Sequence, residues 1–256
     1  MDGSKLSPAK RIAREGRGRS RPARLASVVV DDLAELIIDG TLAAGDVLPT
    51  EPELCEEFGF SRTVVREALK LLEERGLVRV EQGRGTTVQP REAWNMLDPT
   101  VLRLALAHDH DLALLDDLMA VRRVLEREMT RSAAARMSDD DFIQLERTLS
   151  EMEASYDDYE RFRRLDNDFH AIILRESWNE VGLTIIRVVH MHGGSTPPLT
   201  SLPSREALDR TMREHRAIYD ALAARDGELA GDLVAAHIAG GWAERKQDES
   251  VALDSS

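Results

Sequence analysis

Apolar positions between residues 25 and 89 recur first at helical and then at alternating spacing. Leu25, Val28, Val29, Leu33, Leu36 and Ile37 share one face of a helix over 25–39, which Gly40 ends. A short second helix starts at Thr50. Thr50 and Glu53 form a capping box, Pro52 falls in the first turn where its missing N–H costs little, and Gly59 stops it. Ser61 caps a third helix on which Val65, Ala68, Leu69 and Leu72 face inward, and Gly76 ends it. LVRVEQ and TTV then alternate around Gly83-Arg84-Gly85, the pattern of a β-hairpin. Two short helices across a tight glycine turn, followed by a hairpin, predict a winged helix-turn-helix over 25–89.

Past Gln89-Pro90 the spacing stays helical. A linker over 90–98 leads to a helix starting at Pro99, then a long amphipathic helix over Asp111–Met137. Ser138, with Asp141 three residues on, caps the next helix. Others follow over Tyr156–Glu176, Asn179–His192, Ser204–Arg225 and Asp226–Lys246, interrupted by the irregular stretch 193–203. The predicted fold is mainly α: an N-terminal winged helix-turn-helix plus a C-terminal all-α helical bundle over 99–246. Residues 1–24 read as a disordered basic arm, because eight Lys and Arg face only Asp2 and Glu15 with nothing to bury. Residues 247–256 read as a flexible polar tail.

Charge changes the picture in one place. The net charge is −13, an odd balance for a chain that meets nucleic acid. Residues 1–90, however, carry 14 Lys and Arg against 15 Asp and Glu, so nearly all the excess acid lies beyond the hairpin. Local charge is what DNA meets. On the third helix Arg62, Arg66 and Lys70 stand at i, i+4 and i+8, a row of cations on the outer face. Such a helix enters the major groove, where arginine reads guanine, so Arg62 and Arg66 are the candidate base readers. Ser61, Thr63, Gly83 and Arg84 are placed to hold phosphates and set register. The other reading, a merely solubilising row, leaves the caps, turn and hairpin unexplained. No apolar run is long enough for a membrane span, and the one cysteine, Cys55, excludes an internal disulfide, so a reducing cytoplasm is expected.

The segments LPTEPEL, SRTVVREAL and GRGTTV resemble the DNA-binding domain of GntR-type bacterial transcription regulators over residues 24–89. The chain departs from that pattern at Pro52, where the family usually carries an arginine that contacts DNA. One expected contact is therefore missing.

In the helical half, Asp166 and His170 share a helix face at i, i+4, while His215 and His237 lie on later helices beside Ile218, Leu222, Leu233, Val234 and Ile238. Spacing leaves two readings open, histidines satisfied within an apolar core or ligands of a divalent cation. DNDFH at 166–170, EHRAIYDAL at 214–222 and AAHI at 235–238 are similar to the ligand-binding (FCD) domain of the FadR subgroup. The resemblance implies a metal held by Asp166, His170, His215 and His237, zinc first, with nickel or manganese equally compatible with these donors. It also implies a small carboxylate effector assisted by an arginine of the first long helix, Arg122 or, less well placed, Arg123. His192 is a further effector-binding candidate, whereas His108, His110 and His190 are expected at solvated or helix-terminal positions. ELCEEF at 53–58 and WNMLDPTVL at 94–102 are similar to galactonate-responsive repressors of this subgroup, which implies a sugar acid.

The expectation is thus a homodimeric repressor of a carbohydrate-acid operon, with a double-stranded DNA operator, a sugar-acid effector, no membrane partner and no enzymatic activity. Two alternatives stand beside it: a metal-dependent hydrolase with an appended DNA domain, for which no general-base motif is present, and an architectural DNA binder using the basic arm.

Overall fold

The computed structural model describes residues 24–81, 83–193 and 202–254, with side chains through 190 and from 202 to 247. The expected basic arm, Gln82 and the centre of the 193–203 connection lie outside the described residues. The chain divides into two compact units, one ending at His108 and the other starting at Asp109.

The first unit opens with helix α1 over 24–38. Its buried face is Ala26, Val29, Val30, Leu33, Ala34, Ile37 and Ile38, whereas Val28 and Leu36 are exposed. The stripe is therefore rotated from the one expected, since alanines at 26 and 34 continue the apolar face and leave Val28 and Leu36 at its edge. Helix α2 spans Glu51–Phe58 and α3 spans Arg62–Glu74. The capping box forms at Thr50, whose backbone N donates to Glu53 Oε2 at 2.7 Å, and Gly59 is left-handed at φ 67°. Ser61 occupies the cap position of α3, but its side chain makes no capping hydrogen bond. Val64, Val65, Ala68, Leu69 and Leu72 form the buried face of α3. Strands β1 (Val78–Glu81) and β2 (Gly85–Val88) pair antiparallel, Val78 opposite Val88 and Glu81 opposite Gly85, to make the wing.

The segment after the wing differs from the expected free linker. A 3-10 turn at Arg91–Ala93 is pressed onto the end of α3, so closely that a Cβ on Gly76 would run into the carbonyl oxygen of Ala93. Asn95 N donates to Arg75 O at 2.8 Å, and Trp94 Nε1 donates to Gln89 O at 3.1 Å. Helix α4 (Pro99–Ala107) starts with proline in its first turn and is capped by Asp98, which accepts from Thr100 N and Val101 N. Asp98 also accepts from Arg75 Nε at 3.1 Å, and His108 at the other end of α4 meets Glu35 of α1 at 2.8 Å. Residues 90–107 thus fall in the first compact unit. The sequence placed the boundary earlier because the contacts that hold this segment join residues far apart in the chain.

The second unit is helical among the described residues: α5 (Ala113–Ala133), α6 (Asp139–Glu153), α7 (Tyr159–Arg175), α8 (Glu180–Gly193), α9 (Arg205–Ala223) and α10 (Gly227–Asp254). Asp109 accepts from the N–H groups of Leu114 and Leu115 at the start of α5, and the Ser138–Asp141 capping box opens α6. Leu145, Leu149, Met152, Phe162, Phe169, Ile218, Leu222, Val234 and Ile238 supply the main core, so α6, α7, α9 and α10 close around one apolar centre. Helix α10 continues to Asp254, past the expected start of a flexible tail at 247, where Glu249, Ala252 and Leu253 are good helix formers with no Gly or Pro among them.

Candidate functional site

The first unit presents its expected DNA-facing residues on one helix and one turn. Arg62, Thr63 and Arg66 are exposed on the first turns of α3, with Ser61 exposed just before them. Gly83 and Arg84 are exposed at the tip of the wing, where Gly83 needs its positive φ of 82°. Arg66 is 70% exposed, yet its Nε donates to both carboxylate oxygens of Glu51 at 3.0 and 2.8 Å. Glu51 thus orients the guanidinium and occupies one edge of it, a pairing the sequence reading missed because the partners are 15 residues apart on different helices.

The second unit draws Asp166, His170, His215 and His237 together from α7, α9 and α10. Each offers one ligand atom, and these atoms all lie within 4.8 Å of one another. His215 Nε2 lies 3.4 Å from His170 Nε2 and 3.3 Å from Asp166 Oδ1. The His215 and His237 rings are 4.6 Å apart, and Phe169 packs against His215 at 4.5 Å. His170 and His215 are buried and Asp166 is partly exposed, so the cluster opens to one side.

Two carboxylates that the sequence reading did not single out fix the rings. Glu126 Oε2 meets His170 Nδ1 at 3.0 Å, and Glu214 Oε2 meets His237 Nδ1 at 2.7 Å. Glu214 hydrogen-bonds the outer nitrogen of His237, and Glu126 Oε2 stands against that of His170 as a close charge contact without hydrogen-bond geometry, carboxylates placed where they orient histidine ligands around a metal. The outer nitrogen of His215, Nδ1, has no hydrogen-bond partner among the described residues. Burial first, and then His237 and His170, hold the His215 imidazole well below its ordinary pKa, so it stays neutral as a ligand must. Three imidazoles and a carboxylate suit zinc, nickel or manganese, and by this test the residues fit a divalent cation.

Glu126 does more than hold His170. It is fully buried, and its other oxygen accepts from Arg122 Nε at 2.7 Å and meets His190 Nε2 at 3.0 Å. Burial alone would raise the Glu126 carboxyl, but Arg122 and His170 outweigh it and keep the group ionised. Burial likewise works against the Arg122 charge, and Glu126 and then Asp166 more than restore it. Of the two arginines weighed for the effector, Arg122 is the one brought to the cluster. His190 lies in the last turn of α8, as expected, and there meets Glu126. His192 lies outside the residues whose side chains are described.

A cavity of about 190 Å³ opens beside the cluster. Arg122, Asp166, His190 and His237 line it together with Arg163, Asn167, Thr211, Trp242 and Arg245. The cavity thus brings the Arg122 guanidinium, two of the four clustered side chains and the polar groups of Asn167 and Thr211 into one space.

Comparison with known proteins covers both units. Residues 25–88 match the family model "Bacterial regulatory proteins, gntR family", and residues 117–240 match the FCD domain. The galactonate operon transcriptional repressor of Escherichia coli K12 is 33% identical over 79% of this chain and 88% of its own length. The Glc operon transcriptional activator of the same strain is 30% identical over 84% of this chain and 86% of its own. Among solved structures, Lar, described as controlling the expression of the Listeria monocytogenes agr system, shares the fold at 20% identity and a TM-score of 0.54, covering 87% of this chain and 96% of its own.

Proposed function

The chain belongs to the gntR family of bacterial regulatory proteins and is a DNA-binding transcription regulator with an FCD domain; from that premise we propose that its second unit senses a sugar acid through a bound divalent metal. The observation that carries this reading is that Arg122 lines one cavity with Asp166 and His237, two of the four clustered donors Asp166, His170, His215 and His237. When bound, the metal supplies a Lewis acid that takes one oxygen of the effector carboxylate. The protein's own residues do the rest. Glu214 and Glu126 hold the rings of His237 and His170, and Glu126 holds Arg122 by Nε, so the terminal guanidinium nitrogens remain for the acid. The effector is a sugar acid because the relative named for a galactonate operon and the polar lining at Asn167 and Thr211 point the same way.

In this reading the regulator is a homodimer in the cytoplasm, two winged modules read a pseudo-palindromic operator, and bound acid releases repression. The acid can change operator affinity only by its different affinity for the DNA-competent and incompetent states. The sign of regulation rests on the repressor relative, since an activator is among the similar proteins too. The hydrolase alternative is set aside, because the relatives and the family are transcription regulators.

The test is elemental analysis of the purified protein together with a thermal-shift series of sugar acids. About one metal per chain and a rise in melting temperature with one acid supports the reading. Absence of metal with no shift from any acid refutes it and leaves the DNA-binding unit unaffected.

A further inference from the structure

Resting on that effector reading, we propose that the cavity takes a sugar diacid, an aldarate, whose second carboxylate is held by Arg245. The wall supplied by α10 carries His237, Gly241 and Arg245 at i, i+4 and i+8, one face of one helix. Eight residues of helix rise span about 12 Å. His237 therefore marks the metal end of the cavity and Arg245 marks the far end.

The charges along this wall are otherwise committed. Arg122 is held by Glu126, Arg163 donates to Glu160 at 3.1 Å, and Glu244 is taken by Arg210. Asp166 belongs to the donor cluster. Arg245 is partly buried and lines the same cavity, with no ion-pair or hydrogen-bond partner among the described residues. Its neighbours on α10 are fixed. Asp116 accepts from Trp242 Nε1 at 2.5 Å and from Lys246 Nζ at 2.7 Å, which anchors this stretch to the start of α5 and makes the indole part of the wall. Between the two ends, Asn167 and Thr211 offer hydrogen bonds to a hydroxylated chain.

A monoacid seated by its carboxylate at the metal end would present a terminal hydroxyl to Arg245. That hydroxyl accepts a hydrogen bond and leaves the guanidinium charge unmatched. A second carboxylate accepts two N–H groups in the fork geometry and matches the charge.

Calorimetric titration of the full-length, zinc-supplemented protein with galactarate and with galactonate tests this. Galactarate is expected to bind on the order of tenfold or more tighter than galactonate. Arg245→Gln should reduce galactarate affinity much more than galactonate affinity, and Arg245→Lys should keep part of the preference. Galactonate binding as tightly as galactarate, or Arg245→Gln weakening both equally, overturns the diacid assignment and leaves the metal-assisted sensor standing. Neither acid binding to a protein that also retains no zinc overturns both.

Discussion

Glu126→Gln is the sharpest probe of the second unit. The substitution keeps the side chain's shape, so no cavity opens, and removes one buried negative charge. Glu126 is fully buried and Arg122 is 17% exposed, so the guanidinium left behind is largely shielded from water. The new amide also turns an N–H₂ toward groups that donate: Arg122 Nε at 2.7 Å, His190 Nε2 at 3.0 Å or His170 Nδ1 at 3.0 Å. Removing one partner of a buried pair costs about 3–5 kcal/mol. Loss of the carboxylate behind a ligand histidine lowers metal affinity about 10–100-fold. Urea denaturation of the metal-free protein reads the first effect, and a competition titration against a zinc chelator reads the second. Combining Glu126→Gln with Arg122→Met should recover part of the stability, because no charge is then stranded. It should not restore zinc affinity, because His170 still lacks its carboxylate. A stability loss under about 1 kcal/mol together with unchanged zinc affinity would refute the argument.

The other expectations are independent of Glu126. His215→Ala with His237→Ala should abolish metal retention, read by elemental analysis; unchanged metal content sinks the donor assignment. Arg66→Ala should cost roughly 1–3 kcal/mol of operator binding and relax base preference, while Glu51→Gln should strengthen binding at low salt by freeing the guanidinium; both are read by fluorescence anisotropy, and equal weakening of Arg66→Ala on all sequences contradicts base readout. For Asp141, burial raises the carboxyl, but Ser138 and then Arg175 outweigh it and leave the pKa lowered. The stability it contributes is therefore present above the ordinary carboxylate pKa and lost as pH falls through the lowered one. Asp141→Asn should cost about 0.5–2 kcal/mol at neutral pH and flatten the acid-side loss, measured by denaturation across pH; an unchanged acid limb counts against the pairing. Gly240, a helical glycine with nothing within 4 Å of an added Cβ, should gain roughly 0.5–1 kcal/mol on replacement by Ala. Gly76→Ala should lose more than about 2 kcal/mol through its φ of 75° and the Ala93 carbonyl. The two melting temperatures moving in the same direction would contradict this contrast.

What could be read from the sequence was local. Thr50, Glu53, Gly59 and Gly76 each act on the backbone within a few residues, so the helix-turn-helix and wing were legible. The four donor residues were legible as a set through the family resemblance, with Asp166 and His170 also sharing a helix face. Glu126 and Glu214 were not, since a carboxylate on a helix looks like any solvated acid until the helix that faces it is known. The contact of His190 with Glu126 is hidden for the same reason, and Val28 and Leu36 read as core because a period of 3.6 leaves the edges of an apolar stripe ambiguous. Residues 90–98 read as a linker and 99–107 as part of the helical domain because the holding contacts, Arg75–Asp98 and Gly76–Ala93, tie together residues that no local pattern connects.

That last feature bears on how the molecule can be cut and recombined. A DNA-binding module excised at residue 89 would lose the cover over Gly76, strand the largely buried Arg75, and lose the helix that pairs with Glu35. The compact unit that holds these contacts runs to His108. Chimeras that exchange sensor domains between relatives should therefore be joined after His108, with residues 90–107 inherited from the parent that supplies the DNA reader.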